Sequence, residues 1–175
     1  MKFDHFTIRL LAEEDSDAYF QLIERNRPRL EGYFAGTVSK TKTREDTLAF
    51  ITENMQRIKD RTYFPYLIVD DSSNNIAGFI DLKNIDWKIP KSEMGCYMDV
   101  DYASKGIATK AFSIFCDFCF AEYHFKKLFL RTHESNTAAR HLVEQCGFEI
   151  EGTIRRDYIT TSGEVVDLIY YGKLG

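Results

Sequence analysis

The chain has 175 residues, about one domain, and a chain of that size buries roughly two-thirds of its unfolded surface. Its net charge of −4 argues against a phosphate backbone as a direct partner, so no nucleic acid is expected, while a cationic target suits an acidic surface. The opening Met1-Lys2-Phe3-Asp4-His5 lacks the apolar run of a signal peptide, and no segment approaches membrane-spanning length. With four cysteines, a cytoplasmic protein with free thiols and no membrane contact is expected.

No repeat, linker or low-complexity tract divides the chain, so one domain over 1–175 is expected. Residues 5–10 alternate and predict a strand. Residues 13–25 put Ala18, Tyr19, Leu22 and Ile23 on one helical face, and Pro28 is expected to end that helix or start a loop. Residues 32–42 are expected as a loop between helices, carrying Tyr33 and Phe34. Thr43 and Asp46 have capping-box spacing, and Leu48, Ile51, Met55 and Ile58 follow at helical intervals. Residues 63–69 and 76–82 predict a hairpin around Ser72-Ser73-Asn74-Asn75.

Residues 92–100 alternate strictly. Met94, Cys96, Met98 and Val100 point one way; Glu93, Gly95, Tyr97 and Asp99 point the other. A loop over 101–105 leads into a helix over 106–123, where Cys116-x-x-Cys119 lies in an apolar run. That setting favours core packing over metal or redox chemistry, and no second pair has zinc spacing, so no metal site is expected. A strand over 127–132 and a helix over 136–145 follow, the latter stopped by Gly147. A hairpin of 148–159 and 164–171 turns across Thr161-Ser162-Gly163. The order contains two strand-helix-strand stretches. It predicts an α/β or α+β fold, a mixed central sheet with helices on both faces.

The most informative stretch is Ser104-Lys105-Gly106-Ile107-Ala108-Thr109, between a strand and a helix. A helix start presents unpartnered N–H groups and the positive end of its dipole. Gly106 and Ala108 lack bulk, so a diphosphate can reach the backbone. A plain tight turn is the alternative. The stretch is neither a Walker loop nor a three-glycine dinucleotide fingerprint.

Ala103-Ser104-Lys105-Gly106-Ile107-Ala108 resembles the coenzyme A pyrophosphate loop of the GCN5-related N-acetyltransferase (GNAT) superfamily, with Ala103 where Gln or Arg is usual. The helix opened by Asn136 and ended by Gly147-Phe148 is similar to a second family motif. Ile8-Arg9-Leu10, Glu93 to Met98 and Glu151-Gly152-Thr153-Ile154-Arg155 look like the RimJ/RimL branch, which acetylates protein N-termini, several of them ribosomal. The resemblance covers nearly the whole chain and implies a single-domain GNAT fold with acetyl-coenzyme A as acetyl donor. It implies that Lys105, Gly106, Ile107, Ala108 and Thr109 hold the pyrophosphate, and that Asn136 contacts the pantetheine arm, a role compatible with capping its helix. It further implies that backbone around Met98 to Val100 meets the pantetheine. By the same analogy a homodimer is expected.

A thioester is already activated, so the protein must position an amine, accept its proton and stabilise an oxyanion. Glu93 is the candidate base, since the resemblance lays the acetyl group along its strand and a glutamate there is often proposed to act through water; a solvated strand-end carboxylate is the alternative. The family's general-acid hydroxyls are missing, because Val143 and Ala139 stand at their positions. A nearby Tyr, a water or unassisted departure of the thiolate is the substitute, and nothing in the sequence selects between Tyr97 and Tyr158. A structural or solvent-facing role is expected for His5, His124, His133 and His141. The expected reaction is acetyl transfer to the N-terminal α-amine of a protein or peptide. A small amine such as a polyamine, aminoglycoside or amino acid is the alternative acceptor, and a non-catalytic acyl-coenzyme A binding module is the alternative outside enzymes.

Overall fold

Alternation along two central strands sets the layers of the molecule. In β3 (Phe64–Asp70), Tyr66 and Ile68 face one side while Leu67 and Val69 face the other, and all four are buried. A strand buried on both faces must be covered twice. The computed structural model, which describes all 175 residues, covers it with helices on both faces of one eight-stranded sheet.

One layer comprises α1 (Ser16–Leu30), α2 (Ala35–Lys40) and α3 (Arg44–Lys59). Its core joins Tyr19, Leu22, Ile23, Ile51, Leu67, Phe79 and Tyr97. The other layer comprises α4 (Ile107–Glu122) and α5 (Thr137–Gln145). Phe112, Phe115, Cys116 and Cys119 of α4 pack there with Met94, Leu128 and Val143. Full burial of a side chain such as Phe115 stabilises the fold by about 2 kcal/mol. Cys116 and Cys119 are free thiols in this core, and burial pushes the Cys116 thiol up to about 12.

The sheet is built from β1 (Lys2–Phe3), β2 (Phe6–Leu10), β3, β4 (Asn75–Asp86), β5 (Lys91–Met98), β6 (Lys127–Thr132), β7 (Glu149–Ile159) and β8 (Val165–Leu174). Their spatial order is β1-β2-β3-β4-β5-β6-β8-β7, so the last hairpin inserts with its second strand innermost. Only β5 and β6 are parallel, and they pair over three positions, Lys91 with Lys127 through Glu93 with Phe129. Beyond Glu93 both strands continue without pairing, and the gap between them positions the site.

Three local expectations change. The first helix begins at Ser16, after a 3-10 turn over Glu13–Asp15, and runs through Pro28 to Leu30. Proline removes a single bond near the helix end, and Leu30, only 3% exposed, anchors the last turn in the core. Residues 32–42 are not all loop, since α2 forms within them; the side chain of Arg27 donates to the carbonyls of Val38 and Thr41 and ties its end to α1. The strand predicted over 92–100 stops at Met98. Asp99 is fully buried, gripped by the guanidinium of Arg25 and accepting the N–H of Asp101 at 3.1 Å. It thereby caps a 3-10 turn over Val100–Tyr102 and leaves Val100 exposed beyond the sheet.

Candidate active site

Where β5 and β6 part, a cleft of about 140 Å³ opens between them. It is lined from both faces of the sheet. Towards α4 and α5 it meets Met94, Cys96, Phe112, Leu130, Leu142 and Val143, an apolar wall. Towards α1 and α2 it meets Glu93, Gly95, Lys83, Arg131, Phe34 and Tyr158. The division follows from strand alternation, which sends Met94 and Cys96 to one side and Glu93 and Gly95 to the other. The backbone groups of β5 that face away from β4 beyond Glu93 have no strand partner and border this gap.

Glu93 is 4% exposed and held from several directions. Arg131 of β6 donates from Nε to Oε1 at 3.2 Å and from Nη2 to Oε2 at 3.1 Å. Asn84 Nδ2 donates to Oε2 at 2.6 Å, and Lys83 Nζ lies 3.9 Å from Oε1. Arg131 also donates from Nη1 to Asp157 at 2.9 Å, and its guanidinium lies over the ring of Tyr170. Burial alone lowers the guanidinium, but hydrogen bonds and charge from Glu93 and Asp157 outweigh it and hold it above its ordinary value. Glu93 is therefore a fixed carboxylate in the cleft wall and not a solvated strand-end group.

A strap crosses the acidic side. Residues Gly32, Tyr33 and Phe34 between α1 and α2 line the cleft. Tyr33 Oη lies 3.5 Å from Ser135 Oγ, the N–H of Ala35 donates to Tyr158 Oη at 3.1 Å, and Thr161 donates to the carbonyl of Glu31 at 3.0 Å. Phe34 meets Tyr97 edge to face. Tyr97 itself lies in the core, donating to Tyr19 Oη at 2.9 Å, and burial pushes its hydroxyl well above its ordinary value. His133 lines the cleft, with Nδ1 2.7 Å from Ser135 Oγ.

At the start of α4, Gly106 has φ +75°, the left-handed region that favours glycine, and open space where a Cβ would stand. The first helical bond at this end runs from the N–H of Lys110 to the carbonyl of Gly106, so the N–H groups of Ile107, Ala108 and Thr109 have no protein partner. Lys105 folds back, donating to the carbonyl of Asp101 at 2.6 Å, so the loop offers backbone more than side-chain charge. Thr109 Oγ1 lies 3.4 Å from Gln145, and its carbonyl accepts from Cys146 Sγ, which sets the loop beside the end of α5. Asn136 caps α5 by accepting the N–H of Ala139 at 3.3 Å, leaving Nδ2 without a protein partner in the cleft lining.

Of the residues expected from sequence, Glu93 and Asn136 meet in the cleft, while Lys105 to Thr109 form a separate rim at the head of α4. Met98 and Val100 lie outside the lining. Met98 packs on the core, and the N–H of Val100 is already donated to Asn26 Oδ1 at 2.9 Å. His133, expected to be structural or solvent-facing, lines the cleft as well, and so do Arg131, Lys83 and Gly95, for which the sequence suggests no role in the site. The alternation of β5 pointed to Gly95, while the others depend on which strands become neighbours. The unpartnered amides, the unpaired edge of β5 and the apolar wall fit a phosphate-bearing donor with an extended arm.

Comparisons agree. Residues 5–149 match the family model of the acetyltransferase (GNAT) domain. The chain is 30% identical over 173 residues to a putative ribosomal N-acetyltransferase of Bacillus subtilis, covering 98% of this chain and 92% of that one. A ribosomal L7/L12 α-N-protein acetyltransferase solved with coenzyme A superposes with a TM-score of 0.91 at 17% identity, covering 98% of this chain and 95% of that one. A spermidine N-acetyltransferase of Vibrio cholerae, solved with coenzyme A and spermine, superposes with a TM-score of 0.82 at 21% identity, covering 97% and 95%. A strand pair that separates around a cleft, a bare helix start and an Asn-capped helix thus accompany a full-length family match. The chain belongs to the GNAT family and is an acetyl-coenzyme A-dependent N-acetyltransferase.

Proposed function

We propose that the protein acetylates the N-terminal α-amine of a protein or peptide. The carrying observation is the cleft between β5 and β6, apolar on one face and carboxylate-bearing, under an aromatic strap, on the other. On this reading the amides of Ile107 to Thr109, with Lys105 and Gly106, hold the diphosphate, and Asn136 Nδ2 meets the pantetheine arm. The free edge of β5 near Gly95 and Cys96 takes the part first expected of Met98 and Val100. The acceptor enters from the strap side. Tyr33, 39% exposed, offers its ring to the first residues of the substrate.

Glu93 receives the amine and starts its deprotonation through water. An α-amine has a pKa near 8 against about 10.4 for lysine, so it asks less of such a carboxylate. The ribosomal relatives favour this acceptor. The spermidine enzyme favours a polyamine, which a carboxylate-lined cleft also suits. A cytoplasmic setting fits both. A homodimer remains part of the proposal by analogy alone.

The test is competition, read by mass spectrometry, between a lysine-free peptide with a free N-terminus and an N-blocked peptide containing lysine, with spermidine in a parallel reaction. Preferential acetylation of the free N-terminus is expected. Acetylation of the blocked peptide overturns the assignment, and reaction with spermidine alone transfers it to the polyamine.

A further inference from the structure

Two buried side-chain atoms lack a protein partner, Asn54 Nδ2 and Asp81 Oδ1, and the second lies behind Gly95 of the cleft lining. Asp81 of β4 stands directly opposite Gly95 of β5, and Lys83 stands opposite Glu93. Asp81 is 6% exposed. Its Oδ2 accepts the hydroxyl of Tyr63 at 2.9 Å, while its Oδ1 leans over Gly95, 2.5 Å from where a Cβ would be. Gly95 lines the cleft, so only the absence of a side chain there lets the carboxylate reach towards it. A buried acceptor left without a donor destabilises a fold, and native folds rarely keep one without a use. Glu93 differs, because Arg131 and Asn84 already donate to both its oxygens.

We propose that Asp81 Oδ1 is where the acceptor amine's proton comes to rest, delivered across Gly95 through water held by Glu93. The inference rests on the amine-acetylation reading above. The ammonium gives one proton to Asp81, and its nitrogen then attacks the thioester carbon. As the carbon–sulfur bond breaks, the thiolate takes a second proton from that nitrogen, and Asp81 releases its own to solvent. The products are the amide, coenzyme A thiol and one proton. No separate general acid is needed, which answers the missing hydroxyls at positions 139 and 143.

The groups facing Asp81 are few. Tyr63, Tyr19 of α1 and Tyr97 of β5 are buried, and burial raises each hydroxyl well above its ordinary value, so they stay neutral. The charged neighbours are Lys83 and Glu93, with Arg57 of α3 stacked on the ring of Tyr63 at 4.3 Å.

The experiment measures kcat and kcat/KM from pH 6 to 10 for the wild type, Asp81→Asn, Gly95→Ala and Tyr63→Phe, with acetyl-coenzyme A affinity by calorimetry. Asp81→Asn is expected to lower kcat by about 10²-fold near neutral pH. The loss should shrink as pH rises and the amine becomes neutral unaided, with donor affinity unchanged. Gly95→Ala, which displaces the carboxylate, should show the same loss in kcat that shrinks as pH rises. Tyr63→Phe removes the hydroxyl that fixes Oδ2, so the carboxylate is no longer held over Gly95 and kcat should fall more at neutral than at high pH, a readout that survives if Asp81→Asn does not fold. A wild-type profile for Asp81→Asn, a loss equal at every pH, or a wild-type kcat for Tyr63→Phe overturns the inference and leaves acetylation intact. A wild type that acetylates no amine overturns both.

Discussion

The two walls of the cleft are built by different means. The wall towards α4 and α5 is apolar with one capping asparagine, and the bare backbone amides of the α4 start form a separate rim beside it. The wall towards α1 and α2 carries charged side chains, with Glu93, Arg131 and Lys83 drawn from three strands and Asp157 of a fourth holding Arg131. Backbone groups cannot be mutated away and read a ligand's shape and charge in a fixed manner. Side chains change one at a time. The difference suits an enzyme whose acyl donor is shared with its family while its acceptor is its own.

If the walls serve separate substrates, variants on each should separate kinetically. The largest effect is expected for Glu93→Gln on the charged wall. It should lower kcat by about 10²-fold and leave acetyl-coenzyme A affinity within a few-fold of wild type. A matching loss of donor affinity would break the distinction. Gly106→Val acts on the other side. Valine at φ +75° is strained, and its branched side chain crowds the amide cradle. Donor affinity measured by calorimetry should fall about tenfold or more in a variant that still folds.

Arg131→Met tests whether the charged wall is also structural. It leaves the carboxylate of Glu93 buried without its bidentate partner. A fully buried pair broken in this way costs about 3–5 kcal/mol, and the quarter exposure of Arg131 reduces the expectation to about 2 kcal/mol in urea unfolding. The smallest effect is a control outside the cleft. The Asp70 carboxyl is held well below the usual range, first by the hydroxyl of Ser72 and also by Tyr102 and Ser73. A depressed carboxyl stabilises the fold above its unfolded value near 4 and loses that contribution as pH falls through the folded value. Asp70→Asn should flatten the acid limb of a thermal-stability profile without changing kcat.

The same contrast decides what could be read from sequence. Gly106 and Asn136 stand in contiguous motifs whose geometry is local, so their helix-start and capping positions were legible. Glu93 was legible as a residue facing opposite Met94 and Cys96, because alternation within one strand fixes it. Its partner Arg131 was not, since their meeting depends on β5 and β6 lying side by side, 38 positions apart in sequence. The insertion of β8 between β6 and β7 was hidden for the same reason, and with it the approach of Asp157 and Tyr158. Pro28 misled because burial of Leu30 outweighed a local helix-breaking preference. Val100 misled because Asp99, read as an alternating strand residue, turned inward to Arg25.

A cleft lined from both faces of a sheet also bears on the order of events in turnover. On the proposed reading, donor and acceptor reach the reacting carbon from opposite directions, and neither must vacate before the other arrives. Such a layout has no use for an acetylated protein intermediate. It matches a ternary complex, in which initial rates at several fixed donor concentrations give intersecting double-reciprocal lines, whereas a ping-pong scheme gives parallel ones. Each product then has its own exit, so a slow-leaving protein substrate would not hold coenzyme A captive behind it.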